Sequence, residues 1–123
     1  MNRIPISRPI VTKEMTEAAA NALAGERLVM GESVFKFEEE FARYIGTEHA
    51  ISVSSGTDAL ILAMIALDVR DRDVLTTPFS FVATGTSIVH AGGAPKFADV
   101  SFEDYNIDPM AIKANVNENI CGI

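Results

Sequence analysis

Cysteine and histidine are scarce in this sequence: 123 residues hold one cysteine, Cys121, and two histidines, His49 and His90. A lone cysteine forms no internal disulfide, and with no Cys or His partner at metal-ligand spacing there is no zinc site to build. Cys121 therefore reads as a bystander thiol. Basic residues are also few, ten Lys and Arg against seventeen Asp and Glu, for a formal net charge of -7. That sign repels the phosphates of DNA and RNA and argues against a nucleic-acid partner. The opening stretch, Met1 to Ile10, lacks a continuous apolar run and carries two arginines and two prolines. It resembles neither a signal peptide nor a membrane anchor, so a cytoplasmic location with no membrane partner is expected. There is no internal repeat and no low-complexity tract. The longest charge run, Glu38-Glu39-Glu40, is expected to face solvent.

What remains is an apolar chain, 48% hydrophobic by composition, which supports one domain at most with a modest core. After an extended entry through Pro5 and Pro9, Thr12 is placed to cap a helix running to about Ala24, with Glu14 near its positive end and Gly25 at its stop. A second helix is predicted from Val34 to Ile45, where Phe37, Phe41, Tyr44 and Ile45 recur at helical spacing before Gly46. Ala50-Ile51-Ser52-Val53 has strand character and breaks into Ser54-Ser55-Gly56-Thr57-Asp58. The helix that follows, Ala59 to Leu67, is apolar on every face and so expects cover on nearly all sides. Val74 to Thr77 reads as a strand stopped by Pro78, Phe81 to His90 as a helix closed by Gly92-Gly93, and Pro95 to Val100 as a third strand. Strands alternating with helices predict an α/β architecture with a mainly parallel sheet, whose ligands sit at the carboxyl ends of the strands.

Two segments at such ends have chemistry to offer. In Ser54-Ser55-Gly56-Thr57-Asp58 a strand end meets a helix's first turn, and backbone N–H groups with Ser and Thr hydroxyls can converge on one anion, as in a phosphate cradle. The same residues also suit a plain helix cap with Gly56 making the turn, and the segment alone leaves the two readings even. In Thr77-Pro78-Phe79-Ser80-Phe81-Val82-Ala83-Thr84 two aromatics follow a strand end. Either could offer a ring face to a planar ligand, although core packing is the better expectation for each, since Phe is so often buried.

At these residues the chain resembles the DegT/DnrJ/EryC1/StrS family, fold-type-I aminotransferases that use pyridoxal phosphate (PLP) to install amino groups on nucleotide-linked sugars. The resemblance runs through Pro9-Ile10-Val11, Gly31 to Gly46 (GESVFKFEEEFARYIG), His49 to Leu60 (HAISVSSGTDAL), Leu75 to Thr84 (LTTPFSFVAT) and Gly93 to Val100 (GAPKFADV). It implies that residues 1–123 comprise an N-terminal segment and the first part of the PLP-binding large domain. It further implies that the amides of Gly56 and Thr57 and the Thr57 hydroxyl hold the cofactor phosphate and that Phe81 stacks on the pyridine ring, with Phe79 packing into the core once the protein is completed by its downstream part. Asp58 contributes through its own N–H, its carboxylate pointing away from the phosphate. The family's partners follow: a keto-sugar nucleotide, an amino donor such as glutamate, and a second copy of the protein in a dimer with shared active sites.

Transamination also needs a lysine that bonds to the cofactor and moves the proton. Neither Lys13, Lys36, Lys96 nor Lys113 matches that family position, and neither Asp99 nor Asp108 matches the aspartate that faces the pyridine nitrogen. His49 and His90 fall where the family has no catalytic histidine. The chain is thus expected to be a truncated α/β large domain, catalytically silent alone, with strand edges and apolar helix faces uncovered. The alternative expectation is a non-catalytic module that binds a phosphate ligand, or one subunit of a split enzyme.

Overall fold

The structure, a computed structural model, describes residues 4–123. The chain forms two compact units, Met1–Ser52 and Val53–Ile123.

In the first unit α1 (Lys13–Gly25) begins where expected, because the Thr12 hydroxyl accepts the Met15 amide at 3.3 Å. It buries none of its residues. Helix α2 (Glu32–Ile45) starts two residues before the apolar spacing suggests and stops at Gly46, whose φ of 84° admits the left-handed turn that returns its amide to Ala42 O at 2.9 Å. Between the helices the Glu26 carboxylate accepts both the amide and the hydroxyl of Ser33, closing the loop onto the first turn of α2. Those bonds, the hydroxyl's first, hold the Glu26 carboxyl below its ordinary range. Of the three consecutive glutamates, Glu39 and Glu40 face solvent as expected, each in an i,i+4 pair, with Arg43 at 2.8 Å and Lys36 at 3.9 Å. Glu38 departs from the expectation. It is half-buried, and its carboxylate takes the Ser52 amide at 2.6 Å.

The second unit alternates α3 (Gly56–Ala66), β1 (Asp73–Thr76), α4 (Ala83–His90), β2 (Ala94–Phe97), α5 (Pro109–Asn115) and β3 (Ile120–Gly122). The three strands form one sheet in the order β2-β1-β3, and both pairings are parallel, as the strand and helix alternation predicts. Central β1 is in register with β2 from Asp73↔Ala94 to Thr76↔Phe97. Against β3 it pairs Asp73↔Ile120 and Val74↔Gly122, so Cys121 is an extra residue in a bulge. Helix α5 is opened by the Asp108 carboxylate, which accepts the Met110 amide at 2.8 Å, with Pro109 at its first position.

The core lies between β1 and α4. Val69, Val74, Ile88 and Ala91 cluster there, with Met64 and Cys121 packed against them, and Leu75 is wholly buried. Cys121 thus contributes packing. Gly93 is required at its position because a Cβ would lie 2.9 Å from Val69 O. Helix α3 packs on α4 but has no buried residue; Leu62, Ile65 and Leu67 are 51%, 55% and 68% exposed. The apolar surface away from α4 is left uncovered, as the sequence predicts.

Other segments also differ from expectation. Ala50 to Val53 is extended but joins no ladder among the described residues, since a strand is made by its partner and none of β1 to β3 pairs with it. Strand β2 ends at Phe97, and Val100 turns away to bridge Ile107 in antiparallel fashion. Helix α4 begins at Ala83, which leaves Phe79 and Phe81 in the loop after β1.

Candidate functional site

Both candidate segments stand at helix N-termini on the same side of the sheet. Leu60, from the second turn of α3, and Thr84, from the first turn of α4, line one apolar cavity of about 210 Å³ whose floor includes Leu75 and Thr76 of β1.

At the first segment Ser55 is the N-cap of α3, and its hydroxyl accepts the Asp58 amide at 3.1 Å. The Asp58 carboxylate turns back over the same turn and accepts the hydroxyls of Ser54 and, at 2.8 Å, Ser55. These two donors, Ser54 first, hold the Asp58 carboxyl below its ordinary range. The Ala59 amide closes on Ser55 O at 3.1 Å. The amides of Gly56 and Thr57 are left with no acceptor among the described residues, as expected for the first groups of a helix. A Cβ at Gly56 would meet nothing within 4 Å, so the helix start is uncrowded at that residue.

Of the two readings set out from the sequence, the helix cap is the one formed here. The two serine hydroxyls serve the cap, which removes them from the donors expected to converge on an anion. The Gly56 and Thr57 amides stay free. The Asp58 carboxylate stays ionised but is turned onto Ser54 and Ser55, and its N–H, expected to contribute at the phosphate, is given to the Ser55 hydroxyl instead. That pairing was legible in the Ser55-x-x-Asp58 spacing of a capping box.

At the second segment the structure overturns the expectation of core phenylalanines. Phe79 is 66% and Phe81 75% exposed, because the chain between β1 and α4 is a loop with no element packed over it. The Phe81 ring lines an open hollow of about 380 Å³ with Thr77, Pro78, Ser80, Thr84 and Phe97. Phe79 lies instead against Tyr105, with ring centroids 5.7 Å apart and planes tilted by 35°. No signal in the sequence pointed to Tyr105, which is 26 residues farther on.

The remaining candidates stay apart from these turns. Lys13 and Lys36 lie on α1 and α2 in i,i+4 pairs, Lys113 is in the last turn of α5, and Lys96 on β2 reaches Asp73 at 3.7 Å. His49 and His90 are exposed. Among the described residues no group of His, Cys, Asp and Glu is arranged to hold a metal, and no helix is long and apolar enough to cross a membrane.

Residues 9–123 match the DegT/DnrJ/EryC1/StrS aminotransferase family. The chain belongs to this family. Among DegT/DnrJ/EryC1/StrS relatives, the UDP-4-amino-4,6-dideoxy-N-acetyl-beta-L-altrosamine transaminase of Campylobacter jejuni serotype O:23/36 is 37% identical over 94% of this chain and 31% of its own length. The solved Helicobacter pylori PseC, an aminotransferase involved in pseudaminic acid biosynthesis, superposes with a TM-score of 0.91 at 30% identity, covering 99% of this chain and 33% of PseC. The E. coli GDP-4-keto-6-deoxy-D-mannose-3-dehydratase with bound hydrated PLP gives 0.86 at 26% identity, over 97% of this chain and 32% of that one. The chain thus spans about a third of the length of these relatives, and its α/β fold with a parallel sheet is the one they share over that third.

Proposed function

We propose that this chain supplies the phosphate cradle and the ring-facing wall of a PLP site, in a protein that transfers an amino group, typically from glutamate, to a keto-sugar nucleotide. The observation that carries the proposal is the pair of amides at Gly56 and Thr57, which have no acceptor among the described residues, while the ionised Asp58 carboxylate is turned back onto the hydroxyls of Ser54 and Ser55. A phosphate dianion fits that donor set, since the amides point outward at the positive end of the helix.

In this reading Gly56 and Thr57 donate their N–H groups to phosphate oxygens, and the Thr57 hydroxyl, half-buried beside them, adds a third donor. Asp58 orders the turn from behind. Phe81, exposed in the loop between β1 and α4, offers its ring face to the pyridine. When bound, PLP supplies an electron-withdrawing ring that stabilises negative charge at the carbon exchanging its amino group. The chain's own part is to bind and orient; none of Lys13, Lys36, Lys96 or Lys113 lies in these turns, so this chain by itself binds without turnover. The nucleotide sugar, the amino donor and a second copy of the protein are the partners this reading gives the whole enzyme.

Titration of the chain with PLP and with pyridoxal, which lacks the phosphate, tests the cradle. PLP is expected to bind at least roughly tenfold more tightly, with Thr57→Val narrowing the gap, since charge-assisted hydrogen bonds contribute about 1.5–3 kcal/mol each. Equal affinity for the two would refute the phosphate assignment. Borohydride treatment followed by peptide mapping checks the silence of the lysines, and stoichiometric labelling at one of them with turnover would contradict it.

A further inference from the structure

We infer that Tyr105 is a positioning residue for Phe81: the loop after β2 braces the loop after β1 through the Tyr105–Phe79 aromatic pair and so sets how the Phe81 ring is presented. The inference rests on the cofactor reading above only for what Phe81 faces. The brace itself stands on geometry.

Strands β1 and β2 stay in register to their last residues, Thr76 and Phe97, and Ala98 N then donates to Thr76 O at 2.8 Å. The loops that follow, 77–82 and 98–108, therefore leave the sheet side by side at its carboxyl end. The first is pinned only along its own length. The Phe79 amide donates to Thr77 Oγ1 at 3.1 Å, and the hydroxyls of Ser80 and Thr84 share a bond at 2.9 Å. Phe79 and Phe81 flank Ser80, and both rings are largely exposed.

The second loop is locked onto itself. Val100 bridges Ile107, the Ser101 amide donates to Asn106 O at 2.9 Å, and the Tyr105 amide donates to Ser101 O at 3.0 Å. The Asp104 carboxylate accepts the Asn106 amide and side chain, and the Asp108 amide donates to Asp99 O at 2.9 Å. This hairpin holds Tyr105 at φ 60°, a left-handed backbone that a bulky residue keeps only where its surroundings impose it. Phe102, on the same hairpin, is 93% exposed, and Tyr105 is the residue whose ring meets Phe79. A hairpin held by its own hydrogen bonds thus delivers one aromatic side chain, from a strained backbone, to the loop after β1. Because Phe79 is two residues from Phe81, fixing one restricts the other.

The test uses the whole chain with 4-fluorophenylalanine at position 81 and compares Tyr105→Gly with Tyr105→Phe. Glycine accepts the positive φ, so Tyr105→Gly removes the ring without straining the hairpin. In that variant the Phe81 fluorine signal is expected to narrow and shift toward that of the free amino acid, while slow exchange of the Leu75 amide shows the sheet intact. PLP affinity is expected to fall roughly two- to tenfold, the range an aromatic pair commands. Tyr105→Phe keeps the ring and is expected to restore both readouts. An unchanged fluorine signal in Tyr105→Gly overturns the inference. So does loss of Leu75 protection in that variant, which would make Tyr105 a general stability element, and so does failure of Tyr105→Phe to rescue. If the fluorine signal responds as expected but the unsubstituted chain does not bind PLP, the brace stands and the cofactor reading falls.

Discussion

The Glu38 carboxylate accepts the Ser52 backbone amide at 2.6 Å, tying the middle of α2 to the extended segment that leads into the Ser54–Asp58 turn. This is a contact between residues 14 apart, made by the one glutamate of its run that is half-buried. Glu38→Ala is expected to raise hydrogen exchange at Ser52 by about tenfold, the loss of a charge-assisted bond in partial contact with water. Glu39→Ala and Glu40→Ala, which remove only surface pairs with Arg43 and Lys36, are expected to leave it unchanged.

Asp58 makes the first turn of α3 sensitive to acid. Its folded carboxyl titrates below the ordinary aspartate value of 3.8 because Ser54 and Ser55 donate to the charged form. A group depressed by folding stabilises the fold above its unfolded value, and that contribution disappears as pH falls through the lower, folded value. Amide protection in the first turn of α3 is therefore expected to hold at neutral pH and to drop on acidification below about pH 3.8. In Asp58→Asn that acid-dependent step is expected to vanish, and a step of the same size in the variant would show that another group is responsible.

Two glycines distinguish packing from ligand space. Gly93→Ala drives a Cβ to 2.9 Å from Val69 O and 3.1 Å from Ile88 Cγ2, so backbone has to move. The expected cost is about 1–3 kcal/mol, read as a lower midpoint in thermal or urea unfolding. At Gly56 an added Cβ meets nothing, and Gly56→Ala is expected to leave that midpoint unchanged or slightly raised. Any loss of PLP affinity in Gly56→Ala is then a property of the site rather than of the fold.

The features legible in the sequence were those decided within a few residues. Thr12 capping α1, Gly46 ending α2 and a serine cap before α3 are local hydrogen-bond choices that residue type and spacing determine. Parallel pairing followed from the alternation of strands and helices. What escaped was set by distant partners. Ala50 to Val53 has strand composition but no neighbouring strand, Glu38 looked like surface until Ser52 came to it, and Phe79 looked like core because its type is usually buried. The serine cap of the Ser54–Asp58 turn was foreseen, and Tyr105 lay outside every segment the sequence singled out.

The position of β1 between its two partners also dictates an order of assembly. Asp73 pairs with Ala94 on one side and with Ile120 on the other, so the β1–β2 ladder closes the shorter stretch of chain and loses less entropy in doing so. The four-residue ladder with β2 can nucleate around α4, while three-residue β3, interrupted by its bulge at Cys121, has to wait for a surface already formed. During refolding β3 is thus expected to dock last, and during unfolding to leave first, an order that pulsed hydrogen exchange at Ile120 and Thr76 would check.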